Sequence, residues 1–333
     1  MCYNKQSKRG ICMENKFIVN MEDNDSFSQF SKKDLEELKT QLSKSQLEYR
    51  NHLWFNGDVT IGLEVEYEHV DKHLVNDYVS KNCCYWNSDY DTTLEYGGEI
   101  KSPILTGSPA NWDELNKICL FLEEHHAVMN ENAGGHIHIG SHLLKGNIEY
   151  WRIFVKMYMI YEKDLLKFLF GEMNEGRKSL YQYAPPIANI LYHELDTLNQ
   201  CTCFEDLYYQ VFPKDKNEAI NFKNVSTIDG VKRLRNTIEF RSPNASSKAI
   251  IWQNNVNTLV KFLLSVTKEE IDGEYLDYLL KEEPSTIPSL EDTLQFIDMI
   301  FDNNQDKIYF LKQYLKEFNW GKRLSRGLVK TMF

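Results

Sequence analysis

Acidic, histidine and basic side chains alternate with apolar residues in four short segments of the sequence. Side chains in a β-strand point to opposite faces with a period of two, so each segment places its polar residues on one face. Carboxylates and imidazoles bind divalent cations, and an arginine beside them suits a phosphate or a carboxylate. The polar residues are Glu64, Glu66 and Glu68 in 60–68, Glu99 and Lys101 in 98–102, His136 and His138 in 135–140, and Glu239 and Arg241 in 237–242.

The residue types in these segments favour a metal site over an ordinary solvated sheet face. A sheet with one wet face needs the same alternation, but here Glu is paired with Glu and His with His. Like charges that face each other are destabilising unless a cation lies between them or their pKa values rise. Oxygen ligands with one or two imidazoles suit Mg²⁺ or Mn²⁺ better than Zn²⁺. Such a site with a nearby arginine contains the components of phosphoryl transfer.

The segments that position these residues are predicted from periodicity and turn signals. Strands and loops are expected over 59–140, with one helix interrupting them, and shorter helices and loops over 189–228. Residues 1–30 lack periodicity and predict a poorly ordered segment. Predicted helices cover 32–50 behind an N-cap at Ser31, then 112–128, 147–170, 247–266, 268–282, 289–302 and 304–318.

Composition excludes several classes of protein. The 333 residues contain 38 Lys and Arg against 49 Asp and Glu, a net charge of −11, which disfavours nucleic acid and anionic membrane as partners. Seven cysteines without a Cys-x-x-Cys pair, no signal peptide and no membrane span predict a reduced, cytoplasmic protein. Glycine-rich phosphate loops are absent, so a nucleotide would bind without one.

The order of five motifs resembles the putative amidoligase family, carboxylate–amine ligases with the glutamine synthetase and glutamate–cysteine ligase fold. The resemblance covers about residues 58–265. Ala133 stands where the family often has Cys, a change that we expect to be tolerated. The motifs are 62–66, 91–94, 98–105, 132–140 and 237–241.

The resemblance implies an α+β fold, with a curved, mostly antiparallel sheet as a half-barrel and helices on its convex side. It implies an ATP-dependent ligase with Mg²⁺ (or Mn²⁺) that forms an amide or isopeptide bond through an acyl phosphate. The implied metal ligands are Glu64, Glu66, Glu99, His136, His138 and Glu239. The implied ATP contacts are His136, His138, Lys101 and Arg241, and the implied catalytic residues are Arg241 at phosphate or carboxylate, Asp91 positioning the amine, and Arg235 at phosphate.

Four parts of the chain are expected: a disordered segment 1–30, an N-terminal helix 31–53, a catalytic domain 54–266 and a helical C-terminal extension 267–333. Small-molecule, peptide and protein amines and carboxylates all fit as substrates. A homo-oligomer is left open, with 32–50 as the candidate contact. Two alternatives remain: a kinase of the same fold, and a non-catalytic nucleotide- or metal-binding relative. A cupin-type His-x-His site is disfavoured, because His142 and Leu143 stand where its Glu is needed.

Overall fold

The computed structural model describes residues 17–53, 55, 58–129, 132–213, 215–225 and 236–316. It confirms the α+β fold: the described residues contain an open six-stranded antiparallel sheet with the strand order β2-β3-β1-β4-β6-β5. The strands are β1 (Ile61–Tyr67), β2 (Asn87–Asp89), β3 (Gly98–Lys101), β4 (Gly135–Gly140), β5 (Ile220–Asn221) and β6 (Thr237–Phe240).

Helices account for about half of the described residues outside the sheet. Some are short connectors, such as the three that lie between residues 180 and 200. The helices are α1 (Lys32–Lys44), α2 (Lys72–Asn82), α3 (Pro109–Glu124), α4 (Ile148–Leu169), α5 (Leu180–Tyr183), α6 (Ala188–His193), α7 (Leu195–Gln200), α8 (Phe204–Asp206), α9 (Ala249–Ser265), α10 (Gly273–Leu279), α11 (Leu290–Ile300) and α12 (Asn304–Leu315).

One face of the sheet is apolar and packs on α4 and α9. The Phe154 ring of α4 meets the Phe240 ring of β6 edge to face, with centroids 6.4 Å apart. The Trp252 ring of α9 lies so close to Gly135 that a Cβ there would come within 2.4 Å of it. Burial of this face fixes which side chains of each strand point to the other face.

The strand register makes polar residues of adjacent strands direct neighbours. β1 and β4 lie at the centre of the sheet, and each pairs with a strand on both sides. Residues that pair directly across antiparallel strands have Cβ atoms about 4.5–5.5 Å apart, so their side chains interact. The paired residues are Glu64 with His136, Glu66 with Glu99, His138 with Glu239, and Glu239 with Asn221.

The N-terminal cap is confirmed, and α1 is shorter than predicted. Ser31 and Asp34 form a reciprocal capping box, which satisfies two otherwise unpaired backbone N–H groups at the start of the helix. The helix ends at Lys44 rather than at residue 50, because the following residues turn to an extended conformation at Ser45.

The prediction of a single helix within 59–140 is wrong, because α2 also lies there. Asp71 caps this helix by accepting the backbone N–H of His73, and Val75 and Val79 bury one short stripe. Two apolar residues four positions apart are a weak signal in an eleven-residue helix.

The prediction of little order is also wrong for residues 17–30. Phe27 is fully buried, and its backbone N–H and that of Ser28 donate to the Asp298 carboxylate of α11 at 3.0 and 2.8 Å. Tertiary contacts therefore order a segment that has no periodicity of its own. Residues 1–16 and Arg235 lie outside the described part of the chain.

Within the described residues, no helix combines the length and the apolar character that crossing a lipid bilayer would require.

Candidate active site

Three side chains from three strands converge at the centre of the polar sheet face. Glu64 of β1, His138 of β4 and Glu239 of β6 each offer a ligand atom, and these atoms lie within 4.8 Å of one another. The cross-strand pairs of the register place them there. Two carboxylates and one imidazole at this spacing form a donor set that could hold one divalent cation.

Glu64 lies between both histidines of β4. Its Oε2 accepts a hydrogen bond from His136 Nδ1 at 2.7 Å, and its Oε1 lies 3.3 Å from His138 Nε2. Burial alone would raise the pKa of Glu64, but the two imidazoles lower it below its usual range. Burial would likewise lower the pKa of His136, but the Glu64 carboxylate raises it. Each group therefore stabilises the charged form of the other.

Glu239 is held from three sides. Arg241 Nη1 lies 2.5 Å from its Oε1, Asn221 Nδ2 donates to its Oε2 at 2.8 Å, and His136 Nδ1 lies 3.6 Å away. Burial would raise the pKa of Glu239, but the two histidines and Arg241 lower it. The carboxylate is thus kept ionised in a fixed orientation, as a metal ligand requires.

Glu66 is oriented by the backbone that precedes β4. The Gly134 N–H donates to Glu66 Oε2 at 2.5 Å, and His136 Nε2 lies 3.3 Å from Glu66 Oε1. His136 therefore links Glu66 to Glu64 on the same strand. This places Glu66 beside the cluster formed by Glu64, His138 and Glu239.

Glu99 and Lys101 lie one strand further toward the edge of the sheet. Lys101 Nζ is 2.6 Å from Glu99 and 3.1 Å from Asp89 of β2. Burial raises the pKa of Glu99, and the Glu64 charge adds to this effect. Burial would lower the pKa of Lys101, but the two carboxylates raise it. Lys101 therefore offsets the charge of these two acids, and Glu99 is not among the three side chains whose ligand atoms converge.

Of the two remaining predicted residues, Asp91 lies in the described part of the chain. Asp91 closes a turn, in which its Oδ1 accepts the backbone N–H and the hydroxyl of Thr93, both at 2.7 Å. Arg235 lies outside the described residues.

The hydrogen bonding of His138 also indicates that Glu64, His138 and Glu239 could hold a divalent cation. His138 Nε2 is buried, and its 3.3 Å contact with Glu64 Oε1 lacks the geometry of a hydrogen bond, so this nitrogen has no hydrogen-bond partner among the described residues. Its other ring nitrogen lies 3.2 Å from the Thr237 hydroxyl. A buried ring nitrogen without a partner is costly unless something else satisfies it. A cation between His138, Glu64 and Glu239 would do so.

A cavity of about 360 Å³ adjoins the cluster on the same sheet face. Gly62 is part of its wall, and any side chain there would project into the polar face beside His138. Lys101, His138 and Glu64 line it, and so do His142 and the exposed Ile104. The size is that of a small-molecule pocket.

Two residues at the site were not identified from the sequence. Asn221, which holds Glu239, lies on a strand of only two residues, too short to show alternation. Arg177 lies in the loop after α4, but its guanidinium packs against Gly134 on the polar face. A loop arginine carries no periodic signal, so only the tertiary structure reveals it.

Three comparisons with known proteins were made. The crystal structure of a novel glutamine synthase homolog matches with 12% identity, a TM-score of 0.36, and coverage of 83% of this chain and 68% of that chain. That TM-score is too low to support an argument about function. A search of curated proteins finds no match. The model of the family described as "Putative amidoligase enzyme" matches residues 27–263, which include every strand and all the clustered side chains. The chain therefore belongs to the putative amidoligase family, which supports a ligase-type enzyme.

Proposed function

We propose that the protein is an ATP-dependent carboxylate–amine ligase that uses Mg²⁺ or Mn²⁺. The observation that carries the proposal is the convergence of Glu64, His138 and Glu239 beside the Arg241 guanidinium on one sheet face. Family membership supports the reaction class, and the site supplies the residue types that it needs.

Glu64, His138 and Glu239 would hold the metal, and Glu66 would extend the site toward β3. A bound divalent cation would neutralise phosphate oxygens and so stabilise charge in phosphoryl transfer. The chain itself supplies fixed carboxylates and a guanidinium whose position is set by its pairing with Glu239. Arg241 would face the transferred phosphoryl group or the substrate carboxylate.

The proposed reaction has two steps. A carboxylate oxygen of the acid attacks the γ-phosphorus of ATP, the bond from phosphorus to the bridging oxygen breaks, and ADP leaves with an acyl phosphate remaining. The amine nitrogen then attacks the acyl carbon, inorganic phosphate leaves, and the nitrogen loses a proton as the amide forms. Small-molecule, peptide and protein amines and acids all fit this scheme, and Asp91 is proposed to position the amine.

The cavity beside Gly62 is proposed to take the base of the nucleotide. It opens next to the metal cluster, so a base there and phosphates at the cluster would belong to one ligand. Its polar groups are largely used internally: Ser102 Oγ accepts the Leu63 N–H, and His142 Nε2 contacts the Asp58 carbonyl oxygen at 2.6 Å. The remaining lining suits an apolar, planar group.

The reaction class is tested by ADP release in the presence of Mg²⁺, with panels of amino acids, polyamines and peptides as amines and of amino and dicarboxylic acids as acids. We expect ADP to form only when both an amine and an acid are present, with the amide seen by mass spectrometry. ADP with the acid alone and an accumulating phosphorylated product would instead establish the kinase alternative. ATP binding without turnover on any pair would favour the non-catalytic relative.

The site assignment is tested by Glu64→Gln and Glu239→Gln. Each removes one ligand charge with little change in shape, so we expect at least about 100-fold slower turnover, with the circular dichroism spectrum unchanged. Glu124→Gln, an exposed acid at the end of α3, is the matched control and should retain full activity. Near-normal rates in both site variants would overturn the metal assignment.

The cavity assignment is tested by Ile104→Ala. Ile104 lines the cavity and is 77% exposed, so its truncation removes ligand contact with little loss of stability. We expect ATP affinity to fall by about 10-fold, since burial of such a side chain against a ligand contributes roughly 1–2 kcal/mol. Ile287→Ala is the matched control, because Ile287 is 74% exposed and lies elsewhere. Equal ATP affinities of both variants would place the base outside this cavity.

A further inference from the structure

Arg177 is a buried cation that contacts the active site from a loop. The residue follows α4, is only 3% exposed, and has no ion pair with a carboxylate among the described residues. A buried charge without a carboxylate is unusual, because removal of an ion from water is costly unless its hydrogen bonds are replaced. Its hydrogen-bond partners therefore indicate its role.

The guanidinium donates hydrogen bonds to three successive backbone carbonyls directly after β6. Nη2 donates to the Arg241 carbonyl at 3.0 Å, and Nη1 donates to the carbonyls of Pro243 at 2.9 Å and Ser242 at 3.4 Å. The Arg177 backbone N–H also donates to Asn244 Oδ1 at 2.8 Å. These bonds fix the backbone that carries the Arg241 side chain.

The same guanidinium covers the residue that orients Glu66. A Cβ at Gly134 would lie 2.7 Å from Arg177 Cζ, so the group rests directly on the glycine. The Gly134 N–H in turn holds Glu66 Oε2. Burial lowers the pKa of Arg177 to about 10; the nearby Glu66 charge acts against this and the Arg241 charge adds to it. Arg177 thus contacts the backbone that carries Arg241 and the backbone that orients Glu66.

Stability alone does not account for this arrangement. Arg177 Nε is buried and has no hydrogen-bond partner in the described residues. An unsatisfied buried donor costs about 1–3 kcal/mol. A polar group retained at such a cost calls for a functional explanation.

We propose that Arg177 is a positioning residue of the active site. It fixes Arg241 through the carbonyls at the end of β6, and it fixes Glu66 by packing on Gly134. This inference takes two assumptions from the proposed function: that Arg241 contacts the nucleotide and that Glu66 is part of the metal site. Both properties are measured by binding, without turnover.

The experiment compares Arg177→Gln, Arg177→Lys and Gly134→Ala in the full chain. Mn²⁺ affinity without nucleotide, by electron paramagnetic resonance, reports on Glu66; ATP affinity with Mn²⁺, by calorimetry, reports on Arg241. We expect Arg177→Gln to weaken each by about 10- to 100-fold, the usual effect of removing a group that orients metal ligands. Arg177→Lys should recover only part of each affinity, because a compact ammonium group cannot reach all three carbonyls as the planar guanidinium does.

Gly134→Ala tests the mechanism with the arginine still present. Its new methyl group must displace the guanidinium, so we expect weaker Mn²⁺ binding like that of Arg177→Gln. The double variant should be no worse than either single one, because both remove the same coupling. Additive losses would show that the two residues act separately and would overturn the proposal.

Lys316→Gln is the control, because Lys316 is a half-buried cation that also donates to backbone carbonyls. Its Nζ donates to the carbonyls of Lys167 and Gly171, both at 2.7 Å, outside the clustered side chains. We expect it to lower the melting temperature without changing Mn²⁺ or ATP affinity. Wild-type affinities in folded Arg177→Gln, or losses that Lys316→Gln reproduces, would overturn the proposal; if Arg177→Gln does not fold, Gly134→Ala decides. Wild-type binding without amide formation would contradict the proposed function alone.

Discussion

Hydrogen bonds and an ion pair orient the carboxylates of Glu239 and of the neighbouring Glu66. Glu239 uses one oxygen for Arg241 and the other for Asn221, so its position does not depend on a cation being present. Glu66 is held in the same manner by the Gly134 N–H. A site whose ligands are oriented in advance loses less conformational freedom when a metal binds.

Asn221 offers the sharpest test of this orientation. Asn221→Ala removes the donor to Glu239, so we expect about 10-fold weaker Mn²⁺ binding by calorimetry. Asn221→Asp places a like charge against Glu239, and the loss of binding should be larger. Asn217→Ala, in the loop before β5, is the control. Unchanged affinity in Asn221→Asp would show that Glu239 does not bind the metal.

The sequence predicted which strand residues share the polar face. It did not predict the residues that hold them in place. Alternation places Glu64, His138 and Glu239 on one face, because the period of a strand is fixed by its geometry. Which of the polar residues form the central set depends on register, and register is not visible in one strand alone. Arg177 and Asn221 act from a loop and a very short strand, where no pattern exists to detect.

At the level of elements, α4 connects the sheet to the C-terminal helices through a buried carboxylate. Asp164 Oδ1 accepts the Ser289 N–H at the start of α11, the Thr293 hydroxyl and the Tyr314 hydroxyl of α12. Its Oδ2 has no partner in the described residues. Burial raises the pKa of Asp164 from 3.8 to about 6, against the lowering effects of the Ser289 N–H and Lys163.

This raised pKa predicts a pH-dependent stability. The folded state binds the Asp164 proton more tightly than the unfolded chain, so stability from this group falls as pH rises from about 4 to 7. The full change is at most about 3 kcal/mol, from the difference between the two pKa values.

Asp164→Asn keeps the accepting oxygen and cannot ionise. We therefore expect the free energy of unfolding of Asp164→Asn, measured in urea, to rise relative to that of the wild type as the pH increases from 4 to 7. Asp196→Asn, at an exposed acid of α7, should show no such trend. A constant difference between wild type and Asp164→Asn across this range would show that Asp164 keeps an ordinary pKa.

Helices and strands differ in how far the sequence predicted them. Helix α4 matched its predicted range within one residue at each end, because a long apolar stripe and the Asn147 cap define it. Helix α2 was missed because its buried stripe is only two valines long. The two-residue strand β5 exists only through its pairing with β6, which no local pattern encodes.

At the level of the whole molecule, one hydrophobic core joins the first described segment to the last. Phe27, the sheet and the helices after residue 289 belong to one cluster of buried side chains. Lys307 Nζ contacts Asp298 at 2.8 Å, and the same carboxylate holds the Phe27 N–H. The division into a catalytic domain 54–266 and a C-terminal extension 267–333 therefore stays a prediction. It is tested by whether the two parts unfold together.

Phe27→Ala measures that cooperativity. Loss of a buried phenylalanine costs about 3–5 kcal/mol, a large fraction of the roughly 5–15 kcal/mol that stabilises a typical domain. We expect a lower midpoint in urea, with tryptophan fluorescence and circular dichroism still changing together. Tyr278→Ala, at an exposed ring of α10, should leave the midpoint unchanged. Two separate transitions in Phe27→Ala would show that the C-terminal helices unfold as a unit of their own.

The strand order has a consequence for how the protein acquires its site. Glu64 and Glu239 come from strands that are far apart in sequence, and β4 must lie between them before they meet. Contacts between distant segments form slowly, because the loop entropy is lost before the contact is gained. Nascent chains that end before β6 would carry the first carboxylates without their partners. Metal affinity should therefore appear late in refolding, and the cation would report completion of the sheet rather than initiate it.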